Sequence, residues 1–108
     1  MKYSIEDIAK IVTPIAKRHN LNAVYLFGSY ARGEAANDSD IDLLIDSSTA
    51  PHKGLQYFDI VADFEKSFGE GSVDVINMNQ VTGSHLSEQN KILAEAVLPE
   101  RILLYGRV

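Results

Sequence analysis

From residue 4 to residue 19, Ile5, Ile8, Val12, Ile15 and Ala16 recur at the 3.6-residue spacing of an amphipathic helix. Ser4 can cap its start, and Glu6 and Asp7 fall in the first turn, where the helix dipole favours acids. Pro14 removes one ladder bond and predicts a kink near Lys10, and Asn20 closes the segment. The run AVYLF at 23–27 reads as a buried strand ending at Gly28. Residues 29–35 read as a tight turn into a short helix, and Asn37-Asp38-Ser39 is turn chemistry. Over 40–46, Asp40, Asp42 and Leu44 alternate with Ile41, Leu43 and Ile45, the period-2 pattern of a strand with one apolar face.

The second half repeats this alternation of periods. Residues 47–53, with Pro51, form a loop, and 54–68 place Leu55, Phe58, Val61, Ala62 and Phe68 on a helical stripe that Gly69 ends. Asp59, Asp63 and Glu65 fall on its wet face. Residues 72–78 read as a strand, 84–96 as a helix, and RILLY at 101–105 as a last strand. The order α-β-(α)-β-α-β-α-β predicts a small α/β or α+β sheet of about four strands with helices packed against it. No repeat, low-complexity tract or linker interrupts it, so residues 1–108 read as a single domain.

Composition narrows the function. At 45% apolar residues the chain has the material for a core, and roughly two-thirds of the unfolded surface should be buried at this length. There are no cysteines, which removes disulfides and thiolate metal sites. Glu6, Asp7 and Lys10 break the apolar stretch a signal peptide would need, and no run approaches membrane-spanning length, so a soluble, cytoplasmic protein is expected. Asp and Glu outnumber Lys and Arg by 15 to 10, for a net charge of −5, and the basic residues are scattered. Duplex binding relies on Lys and Arg neutralising phosphates, so autonomous DNA binding is not expected.

The candidate chemistry lies in three short stretches. Asp40 and Asp42 stand at i and i+2 of a strand, on one face and roughly 6.5 Å apart along it. Two carboxylates so close repel, by very roughly a few kcal/mol at ~4 Å in a partly buried site, and a hard cation such as Mg²⁺ removes that penalty. Asp74 lies between Val73 and Val75 and faces away from them. If its strand adjoins 40–46, three carboxylates can hold two metals ~3.5–4 Å apart, the arrangement for in-line phosphoryl displacement. Gly28 allows backbone to approach phosphate closely, and a helix starting near Ser29 would aim N–H groups at the anion. The Ser29 hydroxyl can donate to a phosphate oxygen. Arg32 stands between two readings: a clamp on the triphosphate, or a surface pair with Glu34.

Two other motifs fail. Gly28-x4-Gly33 resembles a P-loop, but Glu34 stands where the phosphate-binding Lys must be. Asp38-x-Asp40-x-Asp42 opens like an EF-hand, but Leu43 holds its Gly position and Thr49 that of its bidentate Glu. Arg18 and Tyr30 read as surface or packing residues, and His19 as a favourable charge at a helix C-terminus. His52 and His85 lack partners at ligand spacing.

Gly28-Ser29, ten residues, Asp40-x-Asp42 and a later single Asp, within GSYARGEAANDSDIDLLID, resemble the signature of the DNA polymerase β-like nucleotidyltransferase superfamily. The compact form is similar to its minimal nucleotidyltransferase (MNT) branch, from the first helix through the final RILLYG strand. The resemblance implies that fold, with Asp40 and Asp42 binding two Mg²⁺ ions and Asp74 binding the one that activates the attacking hydroxyl, and helping to take its proton. Gly28 and Ser29 would hold the triphosphate. Relatives of this size are often antitoxins paired with a HEPN-domain ribonuclease, and some transfer AMP to a tyrosine of that toxin.

The function expected is therefore Mg²⁺-dependent transfer of a nucleotide, AMP from ATP, onto a hydroxyl of a partner protein, a HEPN-type toxin. The alternatives are an antitoxin acting by steric contact, and transfer to a small molecule such as an aminoglycoside. No second domain is evident to grip an acceptor, so a partner or a second subunit should supply it.

Overall fold

The computed structural model describes residues 3–47, 55–69, 71–82 and 86–106. Helix α1 (Ile5–Arg18) begins with a capping box, in which the Ser4 hydroxyl accepts from the Asp7 amide at 3.0 Å and Asp7 Oδ2 accepts from the Ser4 amide at 3.2 Å. The helix continues through Pro14. It stops where Asn20 turns left-handed, at a φ of 55°. Strand β1 (Ala23–Phe27) leads directly into the short helix α2 (Gly28–Arg32). Strand β2 (Ile41–Asp46), helix α3 (Leu55–Phe68) and strand β3 (Val73–Asn77) follow, with a 3₁₀ turn at Met78–Gln80. Helix α4 (Glu88–Val97), a second 3₁₀ turn (Leu98–Glu100) and strand β4 (Ile102–Gly106) complete the order.

The four strands form one mixed sheet in the order β3-β2-β1-β4. β1 pairs antiparallel with β2 and β4, whereas β2 and β3 run parallel, α3 making the crossover between them. On one face Val24, Leu26, Ile41, Leu43 and Ile45 pack against Ile8, Val12, Ile15 and Ala16 of α1 and Ile60, Phe64 and Phe68 of α3. On the other, Leu44, Val81 and Val97 gather Tyr25, Phe27, Ile76, Leu93 and Ala94, so α4 covers that side.

Two sequence expectations are corrected here. Strand β2 begins at Ile41, leaving Asp40 just ahead of it rather than within it. Its apolar face of Ile41, Leu43 and Ile45 is as expected, and Leu44 on the other face is also fully buried, beneath α4, because the sheet is covered on both sides there. On α3 the buried stripe is Ile60, Phe64 and Phe68, whereas Phe58 is 67% exposed. A helix with aromatic and aliphatic residues on several sides leaves its phase open until a partner selects one face.

Smaller differences concern the ends. Helix α4 starts at Glu88 with Ser87 as its cap, the Ser87 hydroxyl accepting from the Asn90 amide at 3.1 Å. Ser84, its expected start, His52 and His85 lie outside the described residues. Asp63 is not simply wet: its Oδ2 lies 2.6 Å from His19 Nε2 and accepts from Arg18 at 3.1 Å, fastening the end of α1 to α3. Tyr30 is a core residue, 1% exposed.

Candidate active site

The site forms where β1 ends and β2 and β3 begin. Asp42 and Asp74 are register partners across the parallel β2–β3 pair, so their side chains leave the same face on neighbouring strands. Phe27 partners Asp42 on the other side, which brings Gly28 to the same place. Asp40 stands just ahead of β2. Its distance from Gly28 in sequence is taken up by α2 and the turn at 33–39, a loop that brings the chain back antiparallel to β1.

Farther along this face the carboxylates give way to Leu44, Ile76 and Tyr25, and α4 closes over them. The acidic end stays open: Asp40 and Asp74 are exposed and Asp42 is half-buried. Burial, then the charges of Asp74 and Asp40, pushes the Asp42 carboxyl up from 3.8 to about 6, with a smaller push from Glu100, while Arg32 pulls it down. Gly28 is pressed against Asp42. With a φ of +75°, a Cβ added there would lie 2.1 Å from Asp42 Oδ2. Only glycine lets this turn and this carboxylate share the space.

Among the described residues, no three acidic, histidine or cysteine side chains are gathered tightly enough to hold a metal ion as they stand. The backbone aligns Asp42 with Asp74, but the three like-charged side chains do not converge into a ready chelate. The donor set nevertheless fits Mg²⁺. It offers hard oxygen ligands, with Asp42 and Asp74 on paired strands, and a divalent cation would offset the charges of Asp74 and Asp40 that, after burial, raise the Asp42 carboxyl.

Gly28 and Ser29 open α2, next to Asp42. Arg32 projects from its last turn and makes both kinds of contact with acids. It lies 3.5 Å from Glu34 Oε2, the expected local pair, and its Nη1 donates to both oxygens of Glu100 at 3.1 and 3.2 Å. These bonds hold the guanidinium charged. Glu100 Oε1 also accepts from the Gly28 amide at 3.0 Å. Sequence reasoning missed Glu100 altogether. It is 72 positions from Gly28, in no motif, and only the second 3₁₀ turn, before β4, brings it to the site.

A family model described as "Polymerase beta, Nucleotidyltransferase" matches residues 9–107. A Methanocaldococcus jannaschii protein provisionally named a protein adenylyltransferase is 33% identical over 97 residues, covering 87% of this chain and 96% of the relative. A solved structure provisionally described as a minimal nucleotidyltransferase superposes with a TM-score of 0.67 at 30% identity, over 93% of this chain and 95% of its own. The MNT antitoxin complex with a tri-AMPylated HEPN toxin of Shewanella oneidensis matches with a TM-score of 0.61 at 17% identity, over 92% and 70%, a likeness of fold. No helix among the described residues is long and apolar enough to cross a membrane. With nearly its whole length matched by the family model, and the Gly-Ser turn set against carboxylates on adjoining strands, this chain belongs to the polymerase beta nucleotidyltransferase family.

Proposed function

We propose that this chain transfers AMP from ATP, with Mg²⁺, to a hydroxyl of a partner protein, and that the partner is a HEPN-type toxin it neutralises. The observation that carries the chemistry is the register of Asp42 with Asp74, with Gly28 packed onto Asp42. The protein acceptor and the toxin rest on the relatives: one provisionally named a protein adenylyltransferase, and one fold neighbour bound to an AMPylated HEPN toxin.

In this reading Asp40 and Asp42 would hold two magnesium ions, with Asp74 as a further ligand to one of them. Bound magnesium would offset the repulsion among these carboxylates and make the α-phosphorus more electrophilic. The Gly28 amide and Ser29 hydroxyl hold the triphosphate, and Arg32 balances charge that builds on the departing pyrophosphate. The acceptor oxygen bonds to the α-phosphorus as the bond from that phosphorus to the bridging oxygen breaks. Asp74, exposed on edge strand β3, takes the hydroxyl proton, and an incoming protein can reach it there. With α4 covering the rest of the face, approach is confined to the acidic end.

The test is intact-mass spectrometry of the protein encoded next to this chain, after incubation with the chain, ATP and Mg²⁺. An AMP-sized gain that disappears with Asp40→Ala/Asp42→Ala is expected. A tight complex with no gain would instead favour neutralisation by contact.

A further inference from the structure

One carboxylate occupies two of the groups assigned above to the triphosphate. Glu100 Oε1 accepts from the Gly28 amide at 3.0 Å and from Arg32 Nη1 at 3.1 Å, and Oε2 accepts from the same nitrogen at 3.2 Å. We propose that Glu100 is a built-in competing anion of the nucleotide site. It holds the Gly28 amide and the Arg32 guanidinium in the free protein and surrenders both to phosphate oxygens when the triphosphate binds. This rests on the nucleotide-site reading of Gly28 and Arg32.

The charge of Glu100 is what separates this role from a simple staple. A neutral glutamine could accept the same hydrogen bonds from Gly28. A carboxylate brings a fourth negative charge to a place already holding Asp40, Asp42 and Asp74, and it adds to the load on Asp42. It also neutralises the charge of Arg32, a cation that acts on Asp42. The single Gly28 N–H must choose between Glu100 and a phosphate oxygen, and a triphosphate at the Arg32 guanidinium would lie beside the Glu100 charge, which favours its departure. The exchange needs little energy. Glu100 sits on a short turn with its side chain 26% exposed, and a partly exposed ion pair contributes little. The free protein thus keeps its phosphate donors aimed and satisfied, with a modest reduction in apparent affinity.

The test is calorimetric titration of the wild type, Glu100→Gln and Asp42→Asn with Mg²⁺ and a non-hydrolysable ATP analogue, after thermal melts confirm that each is folded. Glu100→Gln should bind about fivefold more tightly than wild type, because the competing charge is gone while the amide keeps an acceptor. In the wild type itself, the Gly28 amide resonance should shift on addition of the analogue as its partner changes. Equal or weaker binding by Glu100→Gln, or a Gly28 amide unmoved in a saturated wild-type sample, overturns the proposal and leaves Glu100 a staple. In either case binding that Asp42→Asn abolishes leaves the nucleotide site standing. A wild type that binds no analogue overturns the site reading and this proposal with it.

Discussion

Gly28 and Asp42 are packed so closely that a single methyl group on Gly28 would lie 2.1 Å from Asp42 Oδ2. Gly28→Ala therefore has two costs: a left-handed φ of +75°, and displacement of a carboxylate proposed to hold metal. The variant should be less stable by about 1–2 kcal/mol and should lose transfer activity by roughly 100-fold, since a shift near 1 Å is enough to misalign reacting groups. A urea titration alongside a nucleotide-transfer assay checks both. Wild-type activity in a folded Gly28→Ala protein would break the link between this turn and the reaction.

Asp42 gives a pH dependence of definite sign. Its carboxyl is raised to about 6, from 3.8 in the unfolded chain, so between these values the folded protein holds a proton the unfolded chain has released. Its effect on stability is therefore most favourable in acid and is lost as pH rises through 6. Discounted for partial exposure, this rise makes Asp42 a liability of about 1–2 kcal/mol at neutral pH. Asp42→Asn should stabilise the metal-free protein by that much at pH 7 and by little below pH 4, read from melts at the two pH values. Metal binding has the opposite slope, because it needs the carboxylate. Magnesium affinity should fall about tenfold per pH unit below pH 6.

Magnesium itself should stabilise the fold. A ligand at 100 times its dissociation constant adds about 2.7 kcal/mol, several degrees for a chain of this size. Asp74→Asn, at an exposed position, should melt within about 0.5 kcal/mol of wild type in a chelator. It should lose most of the magnesium-dependent rise, together with activity. An undiminished rise would remove Asp74 from the metal site.

On α3 the contrast between two aromatics is the test of its orientation. Phe64 is fully buried in the core that supports β2 from behind, and Phe58 is 67% exposed. Phe64→Ala should cost about 3–5 kcal/mol, and Phe58→Ala about 0.5 kcal/mol or less. Denaturant midpoints of the two variants decide it.

Asp63 should matter chiefly in acid. The His19 hydrogen bond, then that of Arg18, holds its carboxyl below the usual carboxylate range despite some burial. Its stabilising contribution is present above the unfolded value of 3.8 and is lost as pH falls through the lower folded one. Asp63→Asn should therefore lower the melting temperature at pH 7 and converge on wild type in strong acid.

The sequence by itself determined what depends on near neighbours. Ser4 with Asp7 marked the start of α1, AVYLF and Gly28 marked a strand running into a tight turn, and the apolar alternation of Ile41, Leu43 and Ile45 marked β2. These follow from hydrogen bonds and side-chain directions reaching only a few residues. The tertiary structure decided what depends on pairing and cover. The parallel register sets Asp74 beside Asp42, α4 makes Leu44 a buried residue, and one side of α3 is chosen over another. Glu100 belongs to this second group, since no local pattern could bring a turn near the C-terminal strand against Gly28 and Arg32. Local geometry is written in short spacings, whereas contacts between distant segments are fixed only when the whole sheet closes and each face finds its cover.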